Sequence, residues 1–399
     1  MSDAPPASLR ATYSFWALVC YFLKLGTLGF GGPVALVGYM RRDLVEERGW
    51  IPEADYKEGL AFSQLAPGPL AAQLAMYLGY VDFGVLGATA TGVAFVLPSF
   101  LMVVALGWAY VLYGGLTWMQ AVFYGVGASV IGIIAHSAIN LTKRTIGKDW
   151  LFGGVYAASA AMTIATETES VWFFLAAGML VWVLRTLWRR KRSMDSIAAM
   201  IAVPIAATSS LPAASGHMLL QLAAFFTKAG AFVFGSGLAI IPFLYGGVVT
   251  EHGWLTDAQF LDAVAVAMIT PGPVVITSGF IGFLVAGLPG AIVTSLATFL
   301  PCYLITILLA PSFKKYGSRP GIVAFVNGVT AAAIGAIAGA VVVLGRRTIF
   351  GAVWYPDIPK TVILVITLAV LLSTKKVPEP VIVFVAAIAG LVLFPLVHP

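Results

Sequence analysis

The residues of this chain whose types and spacing could bind an anion are a lysine and the glycine-rich stretch after it. Lys24 lies inside a long apolar segment, within "FLKLGTLGFGGP" (residues 22–33). An ionisable residue in such a segment usually faces the protein interior or a wet cavity, and it is a functional hypothesis by default. Thr27 and Gly31 follow Lys24 by three and seven residues, so the three share one helix face. We therefore predict that the ammonium group points along the side that leads to the glycines.

Gly31, Gly32 and Pro33 predict a break in this helix. Glycine permits unusual backbone angles, whereas proline lacks an N–H donor but is tolerated in the first turn of a new helix. The new helix would present unpaired N–H groups and the positive end of its dipole, which together favour an anion. The interpretations without a functional site are that Lys24 snorkels to the membrane interface and that the glycines allow close helix packing.

The same pattern recurs 204 residues later, in "FTKAGAFVFGSGLAI" (226–240). This shift carries Lys24 onto Lys228, and it carries the first break onto Gly235, Ser236 and Gly237. The offset stays at 204 or 203 residues through further motifs, which indicates that the chain is a duplication of two halves.

Each half also contains a Pro-Gly-Pro motif, which predicts a second break because two prolines flanking a glycine remove helical hydrogen bonds. A purely structural kink is the alternative. Polar neighbours favour a site, since they can donate to oxygen atoms at a depth where unpaired polar groups are costly. The candidates are Ser63, Gln64, Pro67, Gly68 and Pro69 in the first half and Thr270, Pro271, Gly272 and Pro273 in the second, with Gln73, Thr277 and Ser278 as further polar neighbours.

Two acids, Glu58 and Asp262, are equivalent under the same shift and lie in early turns of the helices that precede the Pro-Gly-Pro motifs. Acidic side chains at such positions complement the helix dipole, and this is the simpler interpretation. As a repeated pair of acids, they are also candidates for coupling to protons.

The composition places nearly all of the 399 residues in lipid. The chain is 60% hydrophobic and 10% charged, with a mean hydropathy of +0.95, whereas soluble chains are about 25% charged. Long apolar runs predict helices and exclude barrel strands, which alternate. The net charge of +6 comes from loops such as "RTLWRRKR" (185–192), which follow the positive-inside rule, so we expect no nucleic-acid partner.

The expected fold is an all-α polytopic membrane protein of two homologous repeats. Hydropathy predicts twelve spans, near 14–39, 59–80, 83–113, 118–141, 151–166, 170–189, 217–245, 259–285, 287–311, 321–345, 360–373 and 378–397. A thirteenth, 196–212, would make the repeats inverted, and it places five of seven basic loop residues of the second half inside. We predict repeats at 1–195 and 213–399, joined by 196–212.

No enzyme motif accompanies these features. Cys20 and Cys302 lie in apolar segments and are expected to pack as small hydrophobes. The sequence has no metal-ligand spacing, no Walker loop and no cofactor motif. We expect a protein that is not an enzyme and that has no cofactor.

The motifs "FGGPVALVGYM", "ERGWI" and "QLAPGP", echoed by "FGSGLAIIPFL", "EHGWLT" and "TPGP", resemble the chromate ion transporter family in its long, two-half form. The resemblance implies chromate efflux and resistance at a bacterial plasma membrane, halves of opposite orientation and a role for the proton gradient. By motif it implies functional positions at Lys24, Gly31, Gly32, Pro33, Gln64, Pro67, Gly68, Pro69 and their second-half partners. The second half departs from the motif at Gly237, where the first has Pro33.

The mechanistic hypothesis is one central site at the pseudo-two-fold axis, with Lys24 and Lys228 on opposite sides of a tetrahedral dianion and alternating access between the repeats. The alternative substrate is sulfate or another tetrahedral oxyanion. A hypothesis of another class is an intramembrane chromate reductase using Cys20 or Cys302, which the missing cofactor motif disfavours.

Overall fold

The structure, a computed structural model, describes residues 13–397 apart from 31, 114–115, 148, 168–170, 191–214, 234–236, 238–239, 317–318, 351–355 and 375–376. The described residues form helices and no strands. The helices are α1 (Phe15–Leu28), α2 (Gly32–Met40), α3 (Glu53–Leu65), α4 (Leu70–Tyr113), α5 (Thr117–Thr145), α6 (Trp150–Thr166), α7 (Val171–Arg190), α8 (Ser215–Ala231), α9 (Ile240–Tyr245), α10 (Asp257–Ile269), α11 (Thr277–Tyr316), α12 (Pro320–Phe350), α13 (Ile358–Ser373) and α14 (Glu379–Val397). Short π-helical turns extend α2 and α9 to Glu47 and Glu251, and a 3₁₀ turn, Val274–Ile276, precedes α11.

Side-chain caps set several of these helix starts. Ser14 accepts a hydrogen bond from the amide of Ala17 at the start of α1. Thr256 and Gln259 form a capping box at the start of α10, with each side chain paired to the other's backbone amide. Such caps satisfy amides that the first turn of a helix leaves unpaired.

Helices α4 and α11 are each a hairpin of two antiparallel arms. Thr91 Oγ donates to the carbonyl of Ala75 at 2.9 Å, although sixteen residues of straight helix would separate them by about 24 Å. The chain therefore folds back, at Phe83–Gly84, where Gly84 has a φ of 60°. The second half repeats this turn at Ala286–Gly287, with a φ of 62° at Gly287. Glycine occupies both turns because the left-handed region is costly for other residues.

Two helix groups emerge from the packing, and each contains helices from both halves. The first, here called the hairpin bundle, consists of α1, α4, α8 and α11. The second, called the outer bundle, consists of α5, α6, α7, α12, α13 and α14. Helix α3 packs mainly on α4, whereas α10 contacts α5 and α14 as well as α11, so α10 bridges the two bundles.

Small residues let the hairpin bundle pack closely. A methyl group on Gly26 of α1 would overlap the carbonyl of Phe95, and one on Gly230 of α8 would overlap the carbonyl of Thr298. These two contacts are equivalent under the repeat, so both halves use the same close approach of backbones, as is common between membrane helices.

The expected all-α, polytopic class is confirmed. Among the described helices, five are long and apolar enough to cross a membrane: Leu70–Tyr113, Thr117–Thr145, Val274–Phe313, Pro320–Phe350 and Glu379–Val397. The predicted segments 14–39, 59–80, 217–245 and 259–285 are each interrupted rather than continuous. The segment 196–212, on which the prediction of inverted repeats depends, lies outside the described residues.

Candidate functional site

The predicted break after Lys24 is present. Helix α1 ends at Leu28, and Gly29 closes it by donating its amide to the carbonyl of Leu25 at 2.7 Å. Helix α2 starts at Gly32, whose φ of 72° only glycine adopts without strain. In the second half α8 ends at Ala231 and α9 begins at Ile240. Three predicted site residues, Gly31, Gly235 and Ser236, lie outside the described residues.

The two Pro-Gly-Pro motifs also break their helices. Helix α3 ends at Leu65 before the first motif, and α10 ends at Ile269 before the second. Gly68 and Gly272 have φ values of 147° and 98°. A methyl group on Gly68 would lie 2.5 Å from Cβ of Cys302, so space as well as backbone angle requires glycine there.

Backbone hydrogen bonds join each Pro-Gly-Pro motif to the lysine-helix break of the other half. The amide of Gly68 donates to the carbonyl of Val233 at 2.6 Å, and the amide of Gly272 donates to the carbonyl of Gly29 at 2.9 Å. The two bonds are equivalent under the 204-residue shift. The four breaks of the chain therefore meet in one region between the halves.

The two lysine-helix breaks are also in contact with each other. A methyl group placed on Gly237 would lie 3.7 Å from Cγ of Pro33 and 3.3 Å from a methyl group of Val275. Pro33 and Gly237 are the equivalent third positions of the two breaks, so the same position of each half lies at this contact.

Two buried polar atoms near the Pro-Gly-Pro motifs have no hydrogen-bond partner among the described residues. Gln73 donates through Nε2 to the carbonyl of Pro67 at 3.2 Å, but its Oε1 is unpaired. The hydroxyl of Ser278, fully buried in α11, is unpaired as well. A buried polar group without a partner is costly, so these atoms indicate a place for a polar ligand or water.

The predicted hydroxyl residues are differently placed. Ser63 and Thr270 are buried, but they donate to the carbonyls of Gly59 and Val266, four residues earlier in their own helices. Gln64 is exposed. Pro67 is half-buried, whereas Pro69, Pro271 and Pro273 are buried with the motif glycines.

Sequence reasoning missed Ser99, which joins the end of α1 to the second Pro-Gly-Pro motif. Its hydroxyl lies 2.8 Å from the carbonyl of Pro271 and 3.4 Å from that of Gly26. The shift of 203 residues places Ser99 on Cys302, which lies against Gly68 in the same way. This equivalence was the available signal, because both residues follow a Leu-Pro pair that the repeat conserves between the halves.

Both predicted lysines are exposed. The buried face of α1 is formed by Leu18, Tyr21, Phe22, Leu25 and Gly26. Lys24 lies on the other face with Leu23, which is 44% exposed, and Lys228 has the equivalent place on α8. Nζ of Lys228 lies 5.8 Å from the ring centre of Phe243. The structure thus brings the breaks together without placing the two ammonium groups between them.

The two candidate coupling acids differ in burial. Glu58 is half-buried and accepts a hydrogen bond from the hydroxyl of Tyr77, at 3.0 Å. Asp262 is buried and accepts one from the hydroxyl of Tyr110, at 2.7 Å, which comes from the other half of the chain.

The two cysteines are both free. Cys302 is buried, as expected of a small hydrophobe, and its Sγ lies 3.1 Å from the carbonyl of Phe299. Cys20 lies instead on the exposed face of the apolar helix α1.

Comparison with known proteins agrees with this two-half arrangement. The family model described as "Chromate transporter" matches residues 16–182 and 220–391, one stretch in each half. The chain is 64% identical to the "Chromate transport protein" of Cupriavidus metallidurans, over 100% of this chain and 99% of the relative. It is 60% identical to the "Probable chromate transport protein" of Synechococcus elongatus, over 97% of each.

A more distant relative is the "Chromate transport protein" of Pseudomonas aeruginosa, which is 31% identical over 99% of this chain and 96% of the relative. No solved structure matches the chain. The family match in both halves, together with the apolar helices, confirms the resemblance and makes this a multi-pass protein of the bacterial inner membrane. The chain belongs to the chromate transporter family.

Proposed function

We propose that the protein is a secondary transporter that exports chromate, with an anion site where the four helix breaks meet. The names of its relatives support chromate as the substrate. The two cysteines form no disulfide, and one is exposed while the other is buried, so a thiol-based reductase has less support than a transporter.

The observation that carries this proposal is the exchange of hydrogen bonds between the breaks, beside the buried, unpaired side chains of Gln73 and Ser278. The hydroxyl of Ser278 can donate to an oxyanion, and Nε2 of Gln73 has a second N–H besides the one that it donates to the carbonyl of Pro67. The amides of Gly68 and Gly272 are already paired. The first-turn amides of α4, from Leu70 to Ala72, are the further donors, because a helix start leaves them without intrahelical partners.

In this proposal Lys24 and Lys228 supply positive potential beside the breaks rather than direct contacts at the centre. Their exposure supports a role in attracting a dianion to the site, and salt screens such long-range attraction. A tetrahedral oxyanion of two negative charges is the ligand class that such potential favours. Sulfate has the same shape and charge, and it is the alternative substrate.

The interlocked breaks also support a particular form of alternating access. Because each Pro-Gly-Pro motif is bonded to the other half, the two halves are unsuited to move as separate bodies. We infer that the hairpin bundle moves against the outer bundle, each of which contains helices from both halves. The proton gradient, acting through Glu58 or Asp262, is the proposed energy source.

Uptake of radiolabelled chromate by inverted membrane vesicles tests the proposal. Export in the cell appears as uptake in this system, and the proposal expects it to depend on the protein and on an imposed proton gradient. Unlabelled sulfate is the competitor: strong inhibition at equal concentration would assign the site to sulfate instead. Ser278→Ala is expected to weaken chromate uptake. If vesicles that contain the protein take up no more chromate than vesicles without it in every condition, a transport function is overturned.

A further inference from the structure

A cavity of about 480 Å³ lies between helices of both halves, and none of the residues that line it belongs to a helix break. Its walls come from the bridging helix α10, from α4, and from four helices of the outer bundle. The polar side chains that line it are Tyr110, Gln120, Tyr124, Asp257, Asp262, Arg347, Thr348 and Lys360. It therefore lies where the two proposed moving bundles meet.

The charged groups in and beside the cavity together disfavour an anion. Arg347 pairs with Asp257 at 3.0 Å and also with Glu167. Lys360 pairs with Asp357 at 3.6 Å, and Asp357 also accepts the hydroxyl of Tyr124 at 2.5 Å. Asp262 adds a fourth carboxylate against these two cations. The two carboxylates and two cations that line the cavity balance each other. Glu167 and Asp357, which pair with the cations from outside the lining, leave the wider cluster with two excess negative charges when all groups are ionised, so the wider cluster suits a cation.

Asp262 is the carboxylate in this cluster without a cation. It is 9% exposed, it accepts a hydrogen bond from Tyr110, and it has no ion pair within the described residues. An isolated carboxylate is costly to bury in its charged form, so binding of a proton stabilises it. A second feature indicates a polar occupant: Thr348 lines the same cavity, is 7% exposed, and has an unpaired Oγ.

We propose that this cavity is the proton site of the transporter, with the carboxylate of Asp262 taking up and releasing the coupled proton. The inference rests on the proposed transport function and names the group that couples it. The chemistry is one reversible step, in which a proton passes between water in the cavity and a carboxylate oxygen. A metal cation is a poorer occupant, because it needs about six oxygen ligands, whereas Asp262 and Thr348 supply three.

The groups around Asp262 come from every element that packs near it. Tyr110 faces it from α4, and Asp257 lies one turn and a half earlier on α10. The outer bundle contributes Tyr124, Arg347 and Lys360 from α5, α12 and α13. The contacts from α14 and α11 are aromatic and carry no charge, through Phe394 on the cavity and Phe280 against Tyr110.

Among the residues that the structure describes, the first half has no equivalent of this arrangement. Phe313 stands where the repeat places Tyr110, and it packs its ring against Phe62. The equivalent of Asp262 is Glu58, which is less buried and uses Tyr77 of its own half. We therefore expect one coupled proton site per chain, at Asp262, although the sequence offers two equivalent acids.

The test uses the full-length protein in proteoliposomes with two readouts. Exchange of labelled for unlabelled chromate reports translocation without net coupling, and an entrapped pH dye reports proton movement evoked by chromate. Asp262→Asn is expected to lose at least tenfold in evoked proton movement while it keeps exchange, and Asp262→Glu is expected to keep both. Asp55→Asn, which removes a half-buried carboxylate outside the cavity, is the matched control and should keep both.

Each contrary outcome is distinguishable. Wild-type protein that exchanges chromate but moves no proton overturns the proton site and leaves transport standing, whereas wild-type protein without exchange overturns the proposed function itself. The assignment is also wrong if Glu58→Gln, rather than Asp262→Asn, removes proton movement. Evoked ion movement that needs Na⁺, or loss of exchange in Asp262→Asn protein at normal abundance, likewise overturns it.

Discussion

The two halves of the chain share their backbone and differ in their polar side chains. Both have a left-handed glycine at the Pro-Gly-Pro motif and another at the hairpin turn. Both also donate one amide to the break of the other half. At equivalent positions, however, the first half has Ser99 where the second has Cys302, and half-buried Glu58 corresponds to buried Asp262. The two halves have thus kept the same backbone path since the duplication, whereas their polar side chains have diverged.

This difference separates two kinds of requirement. A transporter that opens to both sides in turn needs matching breaks on both sides, and backbone geometry provides them. In the proposed mechanism, binding and coupling involve one anion and its protons, so nothing requires both halves to supply the same side chains. Substitutions of the shared backbone should therefore be equally harmful in the two halves, whereas substitutions of polar groups should not.

The largest effect is expected at the glycines of the Pro-Gly-Pro motifs. Gly68→Ala and Gly272→Ala should both abolish chromate uptake, because each adds a Cβ at a positive φ and against Cys302 or Ser99. Protein abundance in the membrane and vesicle uptake measure the effect. Gly49→Ala is the control: it has a φ of 60° with open space around it, so it should cost about 1 kcal/mol and keep uptake. Full chromate uptake in either Gly68→Ala or Gly272→Ala would contradict the expectation that the shared backbone is equally important in both halves.

A smaller effect is expected at the unpaired hydroxyl beside the second motif. Ser278→Ala should raise the KM for chromate about tenfold, because hydrogen bonds to charged groups contribute about 1.5–3 kcal/mol. Ser295→Ala provides the matched control, since its hydroxyl is also buried and unpaired but Ser295 lines an apolar cavity of about 710 Å³ that none of the motif residues lines. An equal change of KM in both variants would show that Ser278 acts through packing.

Replacement of Lys24 or Lys228 should have a modest effect on the KM for chromate, and this effect should depend on salt concentration. Lys24→Ala and Lys228→Ala are each expected to raise the KM about two- to fivefold at low ionic strength and less at 0.5 M salt, because exposed charges are screened. Lys57→Ala removes a lysine that is 71% exposed on α3, and it should leave the KM unchanged. Complete loss of uptake at any salt concentration would instead place the lysines in the binding site.

The breaks could be predicted because their cause is local. Glycine and proline limit backbone angles and hydrogen bonds wherever they occur, so 31–33 and 67–69 indicated breaks without tertiary information. The repeat then extended the prediction to the second half. The hydrogen bonds of Ser63 and Thr270 to carbonyls of their own helices could also be predicted from local rules, since hydroxyl side chains in helices often donate to the carbonyl four residues earlier.

The contacts across the repeat could not be predicted. Pairing of Gly68 with Val233 depends on which helices become neighbours, and sequence spacing carries no information about this. The direction of Lys24 depends on which face of α1 packs against α4, where Gly26 approaches Phe95. The cavity at Asp262 likewise forms from six helices that are distant in sequence, so the sequence offered only a pair of equivalent acids.

The smallest effect on transport is expected for substitution of Cys302, which has a different side chain from its equivalent in the first half, Ser99. Cys302→Ser makes the second half match the first, because Ser99 already donates to the carbonyl of Pro271 and a serine at 302 could donate to that of Pro67 in the same way. Its cost should stay below about 1 kcal/mol, since the change preserves shape and adds a bond in a site lined by backbone. A variant that also carries Cys20→Ser should transport chromate at the wild-type rate. Loss of uptake in that cysteine-free protein, at normal abundance, would mean that a thiol takes part in the chemistry and would revive the reductase hypothesis.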